Sequence, residues 1–313
     1  MMDINELLSL LRERNVTLSL AGDEVTCDSP VGALDLNLKG LLSSRKEEIK
    51  IFLRRAADLK NGPSSIVPIK SQGSRPPLFV VSGYGGTAYF FVALARLLDR
   101  EQPLLVLQPP GLDGATPLKT VDELARYEVE QIRRYRPTGP YLIAGHCSGG
   151  TLAYEVAQQL VAAGESVPLL AMIGSPFPSD FRRGHRIVGH AMALLTGPIN
   201  ERIRYAKSKI QWRVAHYRTS SNEAVDTSTR LARQNVEGAT LSAVRDYRPK
   251  PYDGPIDLFI TAEKWHRSEQ WVALGATVRK HYFEEEEETL LMGPSVSLLA
   301  KYLQEALDSA RFG

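Results

Sequence analysis

The sequence predicts an α/β protein: a mostly parallel sheet with helices on both faces, preceded by a small α+β unit. Three observations carry this. From residue 78 onward, short apolar runs alternate with longer stretches of helical periodicity, the pattern of βαβ units. Most of those runs are continuously apolar, as strands are when both sheet faces are covered. And residues 57–77, which contain "NGPSSIVPIKSQGSRPP", are rich in Pro, Gly and Ser and read as a linker between two units.

The first unit is assigned to residues 1–56. "INELLSLLRER" places Leu7, Leu8 and Leu11 at helical spacing. "VTLSLAGDEVTCDSP" alternates and turns at Gly22-Asp23, a hairpin signal. Residues 34–55 follow as two helices with a break near Ser43-Ser44. A unit this short has a thin core and suits an adaptor better than a catalyst.

The second unit is assigned to residues 78–313. Its predicted strands are "PLFVVSG", "PLLVLQPP", "PYLIAGH" and "VPLLAMIGSP", with helices in "AYFFVALARLLD", "TVDELARYEVEQIRRYRP" and "TLAYEVAQQLVAAG". A strand-free stretch, about 178–250, interrupts the alternation before "IDLFITAEK", "ATVRKHYF" and the closing helix "PSVSLLAKYLQEALDSA". An insertion between late strands belongs above the sheet's C-terminal edge, as a lid.

Composition narrows the function. The 313 residues are 43% hydrophobic and 24% charged, with a net charge of +2, so bulk charge favours neither nucleic acid nor membrane binding. No apolar run approaches membrane-spanning length. The start "MMDINELLSLL" lacks a basic leader and a cleavage site, and the two cysteines, Cys27 and Cys147, fall in different units. The expectation is a cytoplasmic protein with free thiols, without metal, nucleic-acid or membrane partners.

"IAGHCSGG", residues 143–150, carries the chemistry. It has the outline of the Gly-x-Ser-x-Gly elbow between a strand and a helix, but Cys147 holds the nucleophile position. The apolar strand ends at Ile143-Ala144, so Gly145 is the first elbow glycine. Making Ser148 the nucleophile would put His146 in that glycine's place, where a side chain meets the tight turn. Cys147 is therefore the expected nucleophile. Ser148 is expected to supply an oxyanion-hole N–H, and Tyr84, in the "SGYGG" loop after the unit's first strand, the second donor. His146, next to the nucleophile at a sharp turn, points elsewhere and reads as a hydrogen-bonded structural residue.

At this point the chain resembles a known family. "IVPIKSQGSRPPLFVVSGYGG", "RYRPTGPYLIAGHCSGGTLAYEVAQQL" and "YRPKPYDGPIDLF" make residues 66–313 similar to the thioesterase domains of nonribosomal peptide and polyketide synthetases. Residues 1–56 resemble tubulysin-type N-terminal docking domains. The resemblance implies an α/β-hydrolase fold and a substrate held as a thioester on a carrier protein's phosphopantetheine, with no cofactor of the enzyme's own. It also implies acyl or peptidyl carrier proteins as partners, and an upstream synthetase subunit whose C-terminal tail is held by residues 1–56.

Two departures from the family pattern stand out. Where the family's acid follows the strand after the elbow, this chain has Gly174. Where its histidine precedes the last helix, alignment puts Glu287, or Glu286 or Glu288 with a one-residue slip, within the run Glu284–Glu288. His281 falls inside a strand, His266 follows another, and Glu263 and Asp180 are the remaining candidate acids.

A thiol survives such losses better than a hydroxyl, because free Cys titrates near ~8.5 and a helix N-terminus lowers that value. Hydrolysis suffers more, since attacking water must lose a proton and a glutamate near ~4.3 is a weak base. The expected activity is acyl or aminoacyl transfer between carriers through a Cys147 acyl-enzyme. A releasing thioesterase, hydrolysing or cyclising a product, and an inactive docking scaffold are the alternatives.

Overall fold

The computed structural model describes residues 16–21, 24–28, 35–44, 46, 49–50, 65–83, 88–181, 199, 202–203, 227–262, 267–285, 290–291 and 295–310. The chain divides into two compact units, Met1–Ser64 and Ser65–Gly313.

In the first unit, β1 (Thr17–Ala21) pairs antiparallel with β2 (Glu24–Asp28), and Ala21 lies opposite Glu24. That register leaves Gly22 and Asp23 as the two-residue connection, as the Gly-Asp signal predicts. Helix α1 (Leu36–Ser44) begins after Asp35, whose carboxylate accepts from the Leu38 N–H at 2.7 Å. Leu38 and Ile49 are buried.

The second unit is built on a seven-stranded sheet. Its strands are β3 (Ile66–Lys70), β4 (Leu78–Val81), β5 (Leu104–Leu107), β6 (Leu142–His146), β7 (Leu169–Ile173), β8 (Tyr252–Ile260) and β9 (Gly275–Tyr282). The spatial order is β3-β5-β4-β6-β7-β8-β9, all parallel except β3. Here the sequence reading needs correcting. Residues 66–70, assigned to the 57–77 linker, are the sheet's antiparallel edge strand, so the second unit starts before residue 78. Pro68 hid it, because proline argues against a strand; an edge strand tolerates a missing N–H, and the register shifts between Pro68 and Lys70. Lys70 then reaches across to cap the end of the next helix, donating to the carbonyls of Ala95, Leu98 and Asp99.

Both faces of the sheet are covered, which explains the continuous apolar runs. On one face, Leu78, Val80, Leu104, Val106, Leu142 and Ala144 pack under α2 (Val92–Leu97) and α6 (Val296–Ser309). On the other, Phe79, Val81, Leu105, Leu107 and Ile143 pack under α3 (Val121–Tyr135) and α4 (Ser148–Ala162). Thr120 opens α3 with a capping box shared with Glu123. Within the stretch read as the lid, the structure describes a short 3₁₀ turn, Pro178–Phe181, and helix α5 (Thr227–Asp246). Among the described residues, no helix is long and apolar enough to cross a membrane.

Candidate functional site

The site forms where β6 turns into α4. Cys147 is the single residue between them, with φ 53° and ψ −125°, and it is the one non-glycine residue with positive φ among the described residues. Such a conformation costs a non-glycine residue on the order of 1–3 kcal/mol and persists only where its surroundings enforce it. They do so on three sides. The Cys147 N–H donates to the Ile173 carbonyl of β7 at 3.0 Å, and its own carbonyl accepts from Gly150 N–H at 3.1 Å. A Cβ on Gly145 would lie 2.7 Å from the Ala153 Cβ, and one on Gly149 would lie 2.8 Å from the Ser82 carbonyl carbon. Both positions therefore need glycine, and α4 can lie this close to β4 and β6 only because they have it. The turn places Cys147 at the N-terminus of a fifteen-residue helix, where the helix dipole favours an anion.

Cys147 is 8% exposed and Ser148 fully buried within the first turn of α4. The register expected from the sequence, with Gly145 as the crowded glycine, is the one observed. Gly83, at the start of the "SGYGG" loop, lies at the elbow: a Cβ there would stand 3.6 Å from Cys147 Cβ and 3.8 Å from Ser148 Oγ. Tyr84 lies outside the described residues, as do Glu263, His266, Glu286, Glu287 and Glu288.

His146 packs edge-on against Phe91, with ring centroids 6.0 Å apart, on the α2 and α6 face. His281 sits in β9, as its sequence context indicates. The register runs His146–Ile173–Phe259–His281 straight across four adjacent strands, which puts His281 about 14 Å from His146 at ~4.8 Å per strand. Its ring stacks on Phe259 at 4.7 Å and its Nε2 lies 3.0 Å from the buried Asp257 carboxylate, which Arg279 also holds at 2.8 Å. This is a structural cluster under α6, away from the elbow.

The position after β7 is Gly174, at φ 51°, with its N–H on the Phe259 carbonyl. Asp180, six residues on, is fully buried. Its carboxylate accepts from Arg267 N–H and Arg267 Nε at 2.7 Å each, and from Phe177 N–H at 3.1 Å. Ser175 was not singled out by sequence. Its Oγ lies 3.4 Å from the Gly145 carbonyl and fills the space a Gly150 side chain would need, while its carbonyl accepts from Ser268 Oγ and Trp271 Nε1. A small residue two positions after an apolar strand is too common a pattern to have flagged it.

Comparison with known proteins agrees with this geometry. Residues 76–307, more than half of the chain, match the family model described as the Thioesterase domain. The chain belongs to the thioesterase domain family. Residues 4–55 match the TubC N-terminal docking domain. Among curated relatives, malpibaldin synthetase of Mortierella alpina is 39% identical over 145 residues, covering 45% of this chain and 3% of that protein. Indigoidine synthase of Dickeya dadantii (strain 3937) is 34% identical over 139 residues, covering 44% of this chain and 9% of that protein. This thioesterase-family chain thus spans a small part of such relatives' length. Among solved structures, the four-domain nonribosomal peptide synthetase holo-AB3403 matches with TM-score 0.60 and 22% identity, covering 77% of this chain and 20% of that one. The NocB thioesterase domain from the nocardicin cluster matches with TM-score 0.56 and 21% identity, covering 79% of this chain and all of that one. The α/β-hydrolase fold implied by the resemblance is the fold of this chain.

Proposed function

We propose that this thioesterase-family protein moves acyl or aminoacyl groups between carrier proteins of a nonribosomal peptide or polyketide pathway, with Cys147 as the nucleophile. The observation that carries the reading is the strained elbow at Cys147, combined with a segment after β9 that contains no histidine. The Cys147 thiolate attacks the thioester carbonyl on the carrier's phosphopantetheine. A C–S bond forms to Cys147, the C–S bond to pantetheine breaks, and the released thiolate takes a proton from solvent. The N–H of Ser148 at the helix start, with Tyr84 N–H as partner, supports the negative oxygen that develops. One thioester replaces another, so the step is near thermoneutral and reversible. A second pantetheine thiol then takes the group away. Glu287 is the residue assigned to the family's histidine position, and as a weak base it leaves the acyl-enzyme slow to react with water. The protein needs no cofactor of its own in this reading, and it works in the cytoplasm.

The unit matching a docking domain supports an upstream synthetase subunit as partner, held through residues 1–56 by its C-terminal tail. The family assignment itself favours a second reading, release of a product by hydrolysis or cyclisation. Intact-mass measurement after mixing with an acyl-carrier protein separates the two. A persistent +acyl mass on Cys147, discharged by a second carrier thiol, is the expected result. Free acid or cyclic product with no lasting adduct means release, and neither adduct nor product means a scaffold. Removing residues 1–56 should weaken reaction with the cognate carrier roughly 10²-fold at low concentration and leave a small acyl-cysteamine unaffected.

A further inference from the structure

We infer that Asp180 is a positioning residue, which through Arg267 fixes the chain after β7 and before Trp271 beside the elbow, and so governs how a pantetheine arm is seated at Cys147; this rests on the function proposed above. In the sheet, β7 and β8 follow β6 in order, so the loops leaving their C-terminal ends stand beside the elbow. These loops are bolted to each other and to the elbow by a continuous set of buried bonds. Ser175 reaches the Gly145 carbonyl on one side, and on the other its carbonyl receives Ser268 Oγ at 3.3 Å and Trp271 Nε1 at 3.2 Å. Trp271 is fully buried between Tyr154 and Phe177, with centroids 4.9 Å from each.

Asp180 closes the far end. Its carboxylate is fully buried, a costly placement for a charge unless it is paired and hydrogen-bonded. Arg267 answers with both its main-chain N–H and its Nε, and its terminal nitrogen donates to Ser179 Oγ at 2.8 Å. The main-chain bond matters most, because it fixes the path of the β8 loop where that loop turns back toward Trp271. Asp180 lies in the turn Pro178–Phe181, so the same carboxylate also fixes the chain that follows β7. The strain at Cys147 is held separately, by Gly145, Gly149 and the Ile173 carbonyl. Loosening the Asp180 clamp should therefore disturb delivery of the substrate arm and leave the thiol itself intact.

The test compares two alkylations of Cys147 in the full chain, both read by intact mass: by chloroacetyl-pantetheinamide, whose arm must lie against the loops beside the elbow, and by iodoacetamide, which is too small to need them. Asp180→Asn is expected to slow the pantetheinamide reaction about 10²-fold, the scale of a misplacement near 1 Å, with the iodoacetamide rate within about threefold of wild type. Arg267→Lys keeps the charge and the main-chain bond but loses the fork, and is expected to fall between. The idea is overturned if the ratio of the two rates is unchanged in both variants, or if both rates collapse together in Arg267→Lys as in Asp180→Asn, which would make the clamp a stability element only. Failure of the proposed function looks different: wild-type Cys147 would not load from an acyl-carrier thioester, while the alkylation ratio would still report on Asp180.

Discussion

At the end of β6 the backbone is gripped on three sides, by the Ile173 carbonyl, by the crowding at Gly145 and by the crowding at Gly149. The end of β9 is equipped differently. The chain from Phe283 to Ser295 has five consecutive glutamates and no histidine; Phe283, Leu290 and Leu291 are buried, and the Glu285 carbonyl accepts from Ala262 N–H at 2.9 Å. One region holds a strained strand-to-helix turn with Cys147 at its apex. The other is buried at Phe283, Leu290 and Leu291 and carries carboxylates where a histidine would be needed to activate water. In the proposed reaction, orienting a nucleophile and activating a water are separate tasks, and a thiol is the nucleophile that depends on the second least.

The sharpest way to break this comparison is at the elbow. Cys147→Ala is expected to abolish covalent loading from an acyl-carrier thioester, a loss of at least ~10³-fold, whereas Ser148→Ala stays within about threefold because only its backbone N–H is used. Full loading of the alanine variant would show that the nucleophile lies elsewhere. Next comes the geometry that holds the thiol. Gly149→Ala drives a methyl against Val81 and Ser82 main chain, so loading should fall about 10²-fold with a loss of roughly 1–3 kcal/mol in denaturant unfolding.

The second region is sharpened by restoring what it lacks. Glu287→His should shorten the lifetime of the Cys147 adduct in buffer by about 10-fold, below the ~10²–10⁴ of a well-placed base because no acid orients the ring. Adding Gly174→Asp should increase the effect, since Asp tolerates the φ of 51° there better than most residues. Transfer to a thiol should hardly change in either variant. A wild-type adduct that already hydrolyses within seconds would erase the distinction between the regions.

The smallest effect belongs to a carboxylate outside both. Glu128 is fully buried on α3 with neither oxygen hydrogen-bonded, and burial pushes its carboxyl up to about 8. The folded protein then keeps the proton that the unfolded chain loses above ~4.5, so stability falls as pH rises from about 4.5 to about 8 and levels off beyond. Glu128→Gln should remove that slope, with an advantage of roughly 1–3 kcal/mol at pH 8 and none at pH 4, measured by urea unfolding at both. Equal slopes in the two proteins would place the titration elsewhere.

Much of this molecule was legible from residue types because the signals were local. Six of the seven strands, the hairpin at Gly22-Asp23 and the elbow register follow from short apolar runs and glycine spacing. β3 was missed because Pro68 argues against a strand unless the strand is known to be an edge, and edges are a property of the whole sheet. The Asp180–Arg267 clamp joins residues 87 apart in sequence, and its partner could be any basic side chain until the loops are seen together. His281 was read correctly as a strand residue, but its carboxylate partner Asp257 becomes visible only in the β8–β9 register.

Gly83 has a consequence for how the enzyme could change. A methyl at residue 83 would rest at ordinary contact distance, 3.5 Å from the His146 carbonyl and 3.6 Å from Cys147 Cβ. One point substitution can therefore add bulk against Cys147 without displacing the strained turn on which it rests. In the proposed reaction, the room beside the thiol and the strain that presents it can drift independently, so a lineage built on this scaffold can change what it admits without rebuilding the elbow.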